Sequence, residues 1–366
     1  MKLLYITPKI NDEGGVQKVL SIRTNYFIEK FDYKIDILTQ NYGNKNLFFD
    51  FNKKIGLYDI LLTGNKISKV INYRKALKRY IHDLQPDFII VCDFGLKAFL
   101  IPYIITTKIP IVFEVHGSLY NEPVGFKKNI IGDFFRKIKY SFRKYAARKF
   151  EYFIALSQES LQEWHNNKGF VINNPIVFNE NTFNSLQNKK VITIARHSFE
   201  KGLDRLLPIW QIVAQKHPDW QLDIYGKNEP EIGLEKLAEQ LEISHFVNFL
   251  EPIKNINDKY LDASIYAMTS RSEAFPMVLL EAQSFGLPIV AFDCPIGPRS
   301  IINDKIDGFL IPDGDSQLFA DKLSALIQNE NLRIAMGQNA KKNVEKYDIY
   351  AIMQTWNNFF ADKLNP

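Results

Sequence analysis

Short β-branched runs alternate with helically spaced apolar residues along the whole 366-residue chain. That alternation predicts strand–helix–strand units and therefore parallel sheets. In the first half it places strands near Lys2–Thr7, Tyr33–Thr39, Phe88–Cys92, Ile111–Val115 and Tyr152–Leu156. Helices are expected at Val16–Glu29, Ile67–His82, Gly95–Ile104, Ile130–Phe150 and Gln158–Asn166. The polar stretch from Asn173 to about Lys189 reads as a linker. A second series follows, with strands near Val191–Ala195, Gln221–Tyr225, Val247–Leu250, Ser264–Met268, Ile289–Phe292 and Phe309–Ile311. Its helices are expected at Leu203–Lys216, Ile232–Leu241, Asn257–Ala263, Met277–Phe285, Arg299–Asn303, Ser316–Gln328 and Asn331–Lys346. The last segment, Ile349–Lys363, carries Ile352, Trp356, Phe359 and Phe360 at helical spacing after the second series is complete. It is therefore expected to pack outside the second domain.

The length also exceeds what one core usually supports, so two doubly wound α/β domains are the expectation. With no short-period repeat, a solenoid is excluded. The first residues are too short and too strand-like for a signal peptide, and the apolar region from Phe88 to Val115 is broken by Asp93, Lys97 and Lys108. Cys92 and Cys294 stand far apart in or beside strands and read as reduced core thiols, which suits a cytoplasmic protein.

Charge adds one feature. The net charge of +5 conceals 27 Lys and Arg against 16 Asp and Glu in residues 1–175, and 19 against 25 afterwards. The excess gathers between Lys127 and Lys149, where Phe134, Phe135, Ile138, Phe142 and Tyr145 are interleaved with nine cations. Such a helix is either core-packed with a solvated basic face or a docking element for anionic lipid. No nucleic-acid motif accompanies the charge, so nucleic acid is not expected as a partner.

Candidate chemistry lies where strands end and helices begin, the ligand-binding edge of doubly wound sheets. Gly14-Gly15 follows the first strand and opens a helix, a pattern that serves either a tight turn or close approach of an anion. His116-Gly117 follows the strand ending at Val115. In the second half, Arg196 and Lys201 share one loop before a helix, which suits a diphosphate. Glu273 and Glu281 sit eight positions apart, around Phe275-Pro276-Met277 and an apolar helix in which Pro276 suits the first turn. Alone, these carboxylates read equally as a solvated loop residue and a structural salt bridge. Beside two cations they suit a nucleotide sugar, because carboxylates only accept and vicinal diols donate in pairs.

In this order and spacing the motifs resemble the retaining glycosyltransferases of family 4, nearly end to end. Gly14-Gly15, His116, Arg196 with Lys201-Gly202, Glu273-x7-Glu281 and Gly286-Leu-Pro-Ile-Val290 carry the likeness. The stretch from Glu273 to Gly297-Pro298-Arg299 is most similar to bacterial members that build capsule, lipopolysaccharide or other surface glycans. The resemblance implies the GT-B fold, two Rossmann-like domains facing across a cleft. Residues 1–175 would form the acceptor domain and 176–346 the nucleotide-sugar domain, with 347–366 crossing back to the first. It implies a UDP-sugar donor and a glycan or lipid-linked acceptor. No Asp-x-Asp motif stands out in a ligand-binding position, so no metal cofactor is required. In its docking reading the basic segment 127–149 would bring a lipid-linked acceptor to a cytoplasmic enzyme at the inner face of the plasma membrane.

By the same resemblance Glu281 would hold the ribose and Glu273 the donor sugar's hydroxyls. Arg196 and Lys201 would bind the diphosphate, Gly14-Gly15 would admit it, and His116 would reach the sugar near the reaction centre. Amides at Phe275 and Met277 would touch phosphate or sugar. Two departures stand out: Pro276 replaces a glycine and donates no hydrogen bond, and Ala195 replaces the glycine before Arg196. An inverting enzyme would need a general base, for which Asp93 is the first suspect. A sugar-nucleotide epimerase of the same fold and a non-catalytic two-lobed sugar-binding protein are the alternatives.

Overall fold

The computed structural model describes residues 1–41, 46–120, 130–166, 168–178 and 184–364. Two compact units divide it. One gathers Met1–Leu119, the described residues up to Pro175 and the segment from Tyr350; the other gathers Ile176–Ile349.

The first unit is a seven-stranded parallel sheet. Its strands are β1 (Lys2–Ile6), β2 (Lys34–Gln40), β3 (Gly56–Ile60), β4 (Phe88–Val91), β5 (Ile111–Glu114), β6 (Tyr152–Ala155) and β7 (Phe170–Val171). They lie in the order β3-β2-β1-β4-β5-β6-β7. The direction of winding reverses between β1 and β4, which pair in register from Leu3 opposite Phe88 to Ile6 opposite Val91. The helices are α1 (Gly15–Phe31), α2 (Lys66–Leu84), α3 (Leu96–Ile104), α4 (Ile130–Ala147) and α5 (Gln158–Trp164). The central strands β4 and β5 are buried along their whole length and apolar except for Glu114, as strands covered on both faces tend to be. Two strands escape the sequence pattern. In β3, at the sheet edge, only Ile60 is fully buried, and β7 has two residues.

The second unit repeats the plan with β8 (Lys190–Ile194), β9 (Gln221–Tyr225), β10 (Val247–Leu250), β11 (Ile265–Met268), β12 (Ile289–Phe292) and β13 (Gly308–Ile311), ordered β10-β9-β8-β11-β12-β13. Here the reversal falls between β8 and β11. Its helices are α6 (Leu203–Lys216), α7 (Leu234–Gln240), α8 (Asn257–Leu261), α9 (Met277–Ser284), α10 (Ser316–Gln328) and α11 (Glu330–Val344). Trp210, Leu222, Ile224, Ile265 and Phe319 anchor its core. The helix expected at Arg299–Asn303 is a single 3-10 turn, Pro298–Ser300. The stretch read as a linker is partly built into this unit. Asn184 donates to the carbonyls of Tyr260 and Ala263, and Leu186 is buried, while residues 179–183 of that stretch lie outside the described residues.

The last helix, α12 (Ile349–Leu364), returns to the first unit. Buried Phe360 packs on Phe27 and Phe88, with ring centroids 5.9 and 4.9 Å apart, and Phe359 meets Tyr152 and Phe170. The Tyr33 hydroxyl donates to Asn357 Oδ1 at 2.7 Å. Among the described residues no helix is long and apolar enough to cross a membrane.

Candidate active site

The second unit's site is built by two loops that leave adjacent strands at the reversal point. The first follows β8 from Ala195 to Gly202, and the second follows β11 from Thr269 to Pro276. They are pressed together backbone to backbone. Gly202 adopts φ +65°, and a Cβ there would stand 2.1 Å from the Thr269 carbonyl oxygen, so only glycine fits. The Thr269 hydroxyl donates back to the Gly202 carbonyl at 2.8 Å. Arg205, one turn into α6, donates to the carbonyls of Thr269 and Ser270 and pairs with Asp313 at 2.7 Å.

This clamp brings Lys201 and Glu273, 72 positions apart, into direct contact. Lys201 Nζ donates to Glu273 Oε1 at 2.8 Å, and the Ser270 hydroxyl donates to the same oxygen at 2.7 Å. The lysine side chain is 24% exposed and the glutamate 10%, so the pair is largely buried but still open to solvent. Gly297 lets the next loop close on the glutamate; a Cβ there would stand 2.7 Å from both Glu273 Cβ and Pro276 Cδ. Arg196 behaves differently. Half exposed, it reaches Glu200 on its own loop at 3.1 Å.

α9 starts beside this pair. Pro276 is its N-cap, with ψ 103°, one position before the first helical turn in which the sequence reading puts it. No side chain caps the helix and its first turn holds no acid, so its leading amides and the positive end of its dipole stay available to an anion. Phe275 and Met277 are buried, Phe275 edge-on to Tyr347 at 5.6 Å, so what they can offer a ligand is their amides. Glu281, on the second turn, is buried and accepts from the Tyr260 hydroxyl at 2.9 Å. Burial and then this carboxylate push the Tyr260 phenol well above its usual range, so it remains a donor. Tyr260 is itself stacked on Phe285 at 5.3 Å.

In the first unit, Gly14 is the N-cap of α1 without a side-chain cap, and Gly15 is its first residue. A Cβ at Gly14 would stand 2.5 Å from the Gln17 amide oxygen. His116 lies just past β5, and its Nε2 is 3.2 Å from Glu114 Oε1. Glu114 is buried in a bidentate pair with Arg23, at 2.5 and 2.6 Å. Burial alone would raise the glutamate, but Arg23 and then His116 hold it well below the usual carboxylate range. Asp93 is also buried; burial raises it, and Oδ1 accepts from the Gly95 amide at 2.7 Å, where it braces the start of α3.

Cys92, Glu114 and His116 converge within 4.8 Å, the spacing of metal ligands. The donor set does not suit a metal, because Arg23 already occupies both Glu114 oxygens. Burial and then Glu114 also push the Cys92 thiol far above its usual range, which keeps it a hydrogen-bond donor to Glu114 Oε2 at 3.2 Å. The cluster is an ion-pair network.

Sequence reasoning passed over Arg23, Glu114, Ser270, Arg205 and Tyr260. For the first two a signal exists. Leu20, Arg23, Thr24 and Phe27 share one helical face, and Glu114 stands between Phe113 and Val115 in an apolar strand. Opposite charges on two core-facing positions must meet.

Comparison with known sequences decides the family. Residues 14–179 match the model described as Glycosyltransferase Family 4, and residues 178–343 match Glycosyl transferases group 1. The chain belongs to the family 4-type glycosyltransferases. Within that family it is 28% identical, over 361 residues, to an uncharacterized glycosyltransferase of Haemophilus influenzae, spanning 97% of this chain and 98% of that one. It is 26% identical, over 370 residues, to the amylovoran biosynthesis glycosyltransferase AmsD of Erwinia amylovora, spanning 97% and 98%. Among solved structures, a variant of S. aureus TarM in complex with Fondaparinux, alpha-GlcNAc-glycerol and UDP matches with a TM-score of 0.79 at 17% identity, over 98% of this chain and 99% of that one. That likeness is one of fold, and the glycosyltransferase is of GT-B type.

Proposed function

We propose that this glycosyltransferase is a retaining enzyme that moves a sugar from a UDP-sugar to a growing surface glycan or its lipid-linked precursor. The observation that carries the reading is the Lys201–Glu273 contact beside the uncapped start of α9, at the reversal point of the second sheet. A cation and free amides suit a diphosphate, and an adjacent carboxylate suits the hydroxyls of the sugar it carries. Lys201 and Arg196 take the diphosphate, Glu273 the sugar hydroxyls and Glu281 the ribose diol. Gly14 and Gly15 admit the phosphates, and His116 contacts the sugar. The structure of like fold that holds UDP supports a UDP-sugar donor; the relative from amylovoran biosynthesis supports a polysaccharide product.

The step this arrangement favours is front-side transfer. As the bond from C1 to the diphosphate oxygen breaks, its electron pair leaves with UDP. The acceptor oxygen bonds to C1 on the same face, and its proton passes to the departing diphosphate oxygen. Stabilising that leaving group is the largest protein contribution, and Lys201, Arg196 and the α9 amides supply it without a resident metal. Screening nucleotide sugars for thermal stabilisation identifies the donor, since a ligand of the folded state raises its melting temperature. Product analysis with that donor then tests the reaction. Anomeric inversion, or an altered nucleotide sugar released with no acceptor present, would overturn the proposal.

The basic helix supports work at an anionic membrane face. On α4, Phe134, Phe135, Ile138 and Tyr145 are exposed, with Lys137 among them and Lys149 just past the helix end. Arg143 does not belong to that surface: it is buried, its guanidinium 4.6 Å from the Phe94 ring centroid. Lys127 and Lys128 lie outside the described residues. Flotation with phosphatidylglycerol vesicles should be lost in a Phe134→Ser, Phe135→Ser variant. Equal flotation with pure phosphatidylcholine would refute the electrostatic part.

A further inference from the structure

Buried ion pairs stabilise little compared with apolar residues of the same shape. The Arg23–Glu114 pair therefore invites a second role, and its geometry supplies one. Residues two apart at the end of a strand point to the same side. Glu114 thus directs Oε1 at the His116 ring, with Nε2 3.2 Å away. Nε2 is buried and makes no hydrogen bond among the described residues, so the carboxylate acts on it through charge and proximity. Because Glu114 is ionised and can only accept, the nitrogen facing it carries the hydrogen, and a neutral ring then keeps its lone pair on Nδ1. On its other side, Arg23 is held by the Trp356 ring of α12, 4.6 Å from the guanidinium carbon.

We propose that Arg23 and Glu114 are positioning residues for His116. They hold its imidazole as the Nε2–H tautomer, leaving Nδ1 to accept a hydrogen bond from a sugar hydroxyl, with Trp356 of the closing helix bracing the pair. This rests on the reading of His116 as a sugar contact, and the test separates the two.

The test compares kcat and KM of full-length wild type, His116→Gln, Glu114→Gln and the double variant, using the UDP-sugar found by thermal screening. If Glu114 acts through His116, each single variant lowers kcat at least tenfold, and the double variant is no slower than the slower single. Effects that multiply in the double variant would make Glu114 merely structural and overturn the proposal. Wild-type kcat in His116→Gln would remove the sugar-contact reading, and this inference with it. Glu114→Gln strands a buried guanidinium and can fail to fold, so nitrogen NMR of wild-type protein labelled with 15N-histidine provides a second reading. His116, assigned by its loss in His116→Gln, should show one Nε2–H tautomer when neutral. The Nδ1–H form, or the tautomer mixture of free imidazole, would overturn the proposal.

Discussion

Lys201→Met separates a functional role for the Lys201–Glu273 pair from a structural one, because the two roles predict opposite balances of stability and binding. Methionine keeps most of the apolar stem and removes the ammonium group with its charge and donors. The pair is partly open to solvent, at 24% and 10% exposure, so losing it should cost about 1 kcal/mol or less. In a unit of this size that corresponds to a melting shift of about 2–4 °C at most. Binding should suffer far more. A hydrogen bond from an ammonium to a phosphate oxygen contributes about 1.5–3 kcal/mol, so UDP should bind roughly 10- to 150-fold more weakly. The carboxylate left behind, still held by Ser270 at 2.7 Å, adds repulsion in the same direction. Titration calorimetry with UDP reads the affinity without a known sugar or acceptor, and differential scanning calorimetry reads stability. A variant that melts 10 °C lower and binds UDP as wild type does would show that Lys201 only holds the loops together, and would remove the central argument for the site.

Three further outcomes are expected. Phe360→Ala removes a buried ring packed on Phe27 and Phe88 and should cost about 3–5 kcal/mol in urea unfolding of the first unit; a loss below about 1 kcal/mol would mean that α12 does not cover this core. Gly226→Ala would place a Cβ 1.8 Å from the Ala195 carbonyl oxygen, and should destabilise the second unit by about 1–3 kcal/mol or more. Wild-type stability would contradict the close approach of β8 and β9 ends. Tyr260→Phe keeps the stack on Phe285 but removes the donor to buried Glu281, at a cost of about 1.5–3 kcal/mol by thermal unfolding; an unchanged melting curve would place Glu281 in water.

Much of the fold is legible because short, mostly apolar strands alternate with segments of helical periodicity. β9, β10, β12, α6 and α10 begin and end where the pattern puts them. β3 escapes because its five residues, Gly56 to Ile60, include a glycine and Asp59, which break the apolar run; pairing with β2 defines it and composition does not. The candidate site divides along the same line. Glu273, Lys201 and Glu281 stand out as charges next to glycine, proline and apolar helix. Ser270 and Tyr260, which bond Glu273 and Glu281, and Arg205, which braces the loop carbonyls of Thr269 and Ser270, lie on other elements or are ordinary loop residues, and only three-dimensional register joins them. Arg23 and Glu114, 91 positions apart, are each visible as a misplaced charge. That they form a pair follows from the packing of α1 on the sheet.

The return of α12 to the first unit has a consequence for how the chain is made. The surfaces of Phe27, Phe88 and Phe170 that Phe359 and Phe360 cover are synthesised before residue 176, and their cover only after residue 349. At about 5–20 residues per second the gap lasts on the order of 10–35 s. Throughout it the second unit can emerge and fold while the first still carries open aromatic surface, a natural target for a ribosome-bound chaperone. The unit that starts first is the one that finishes last.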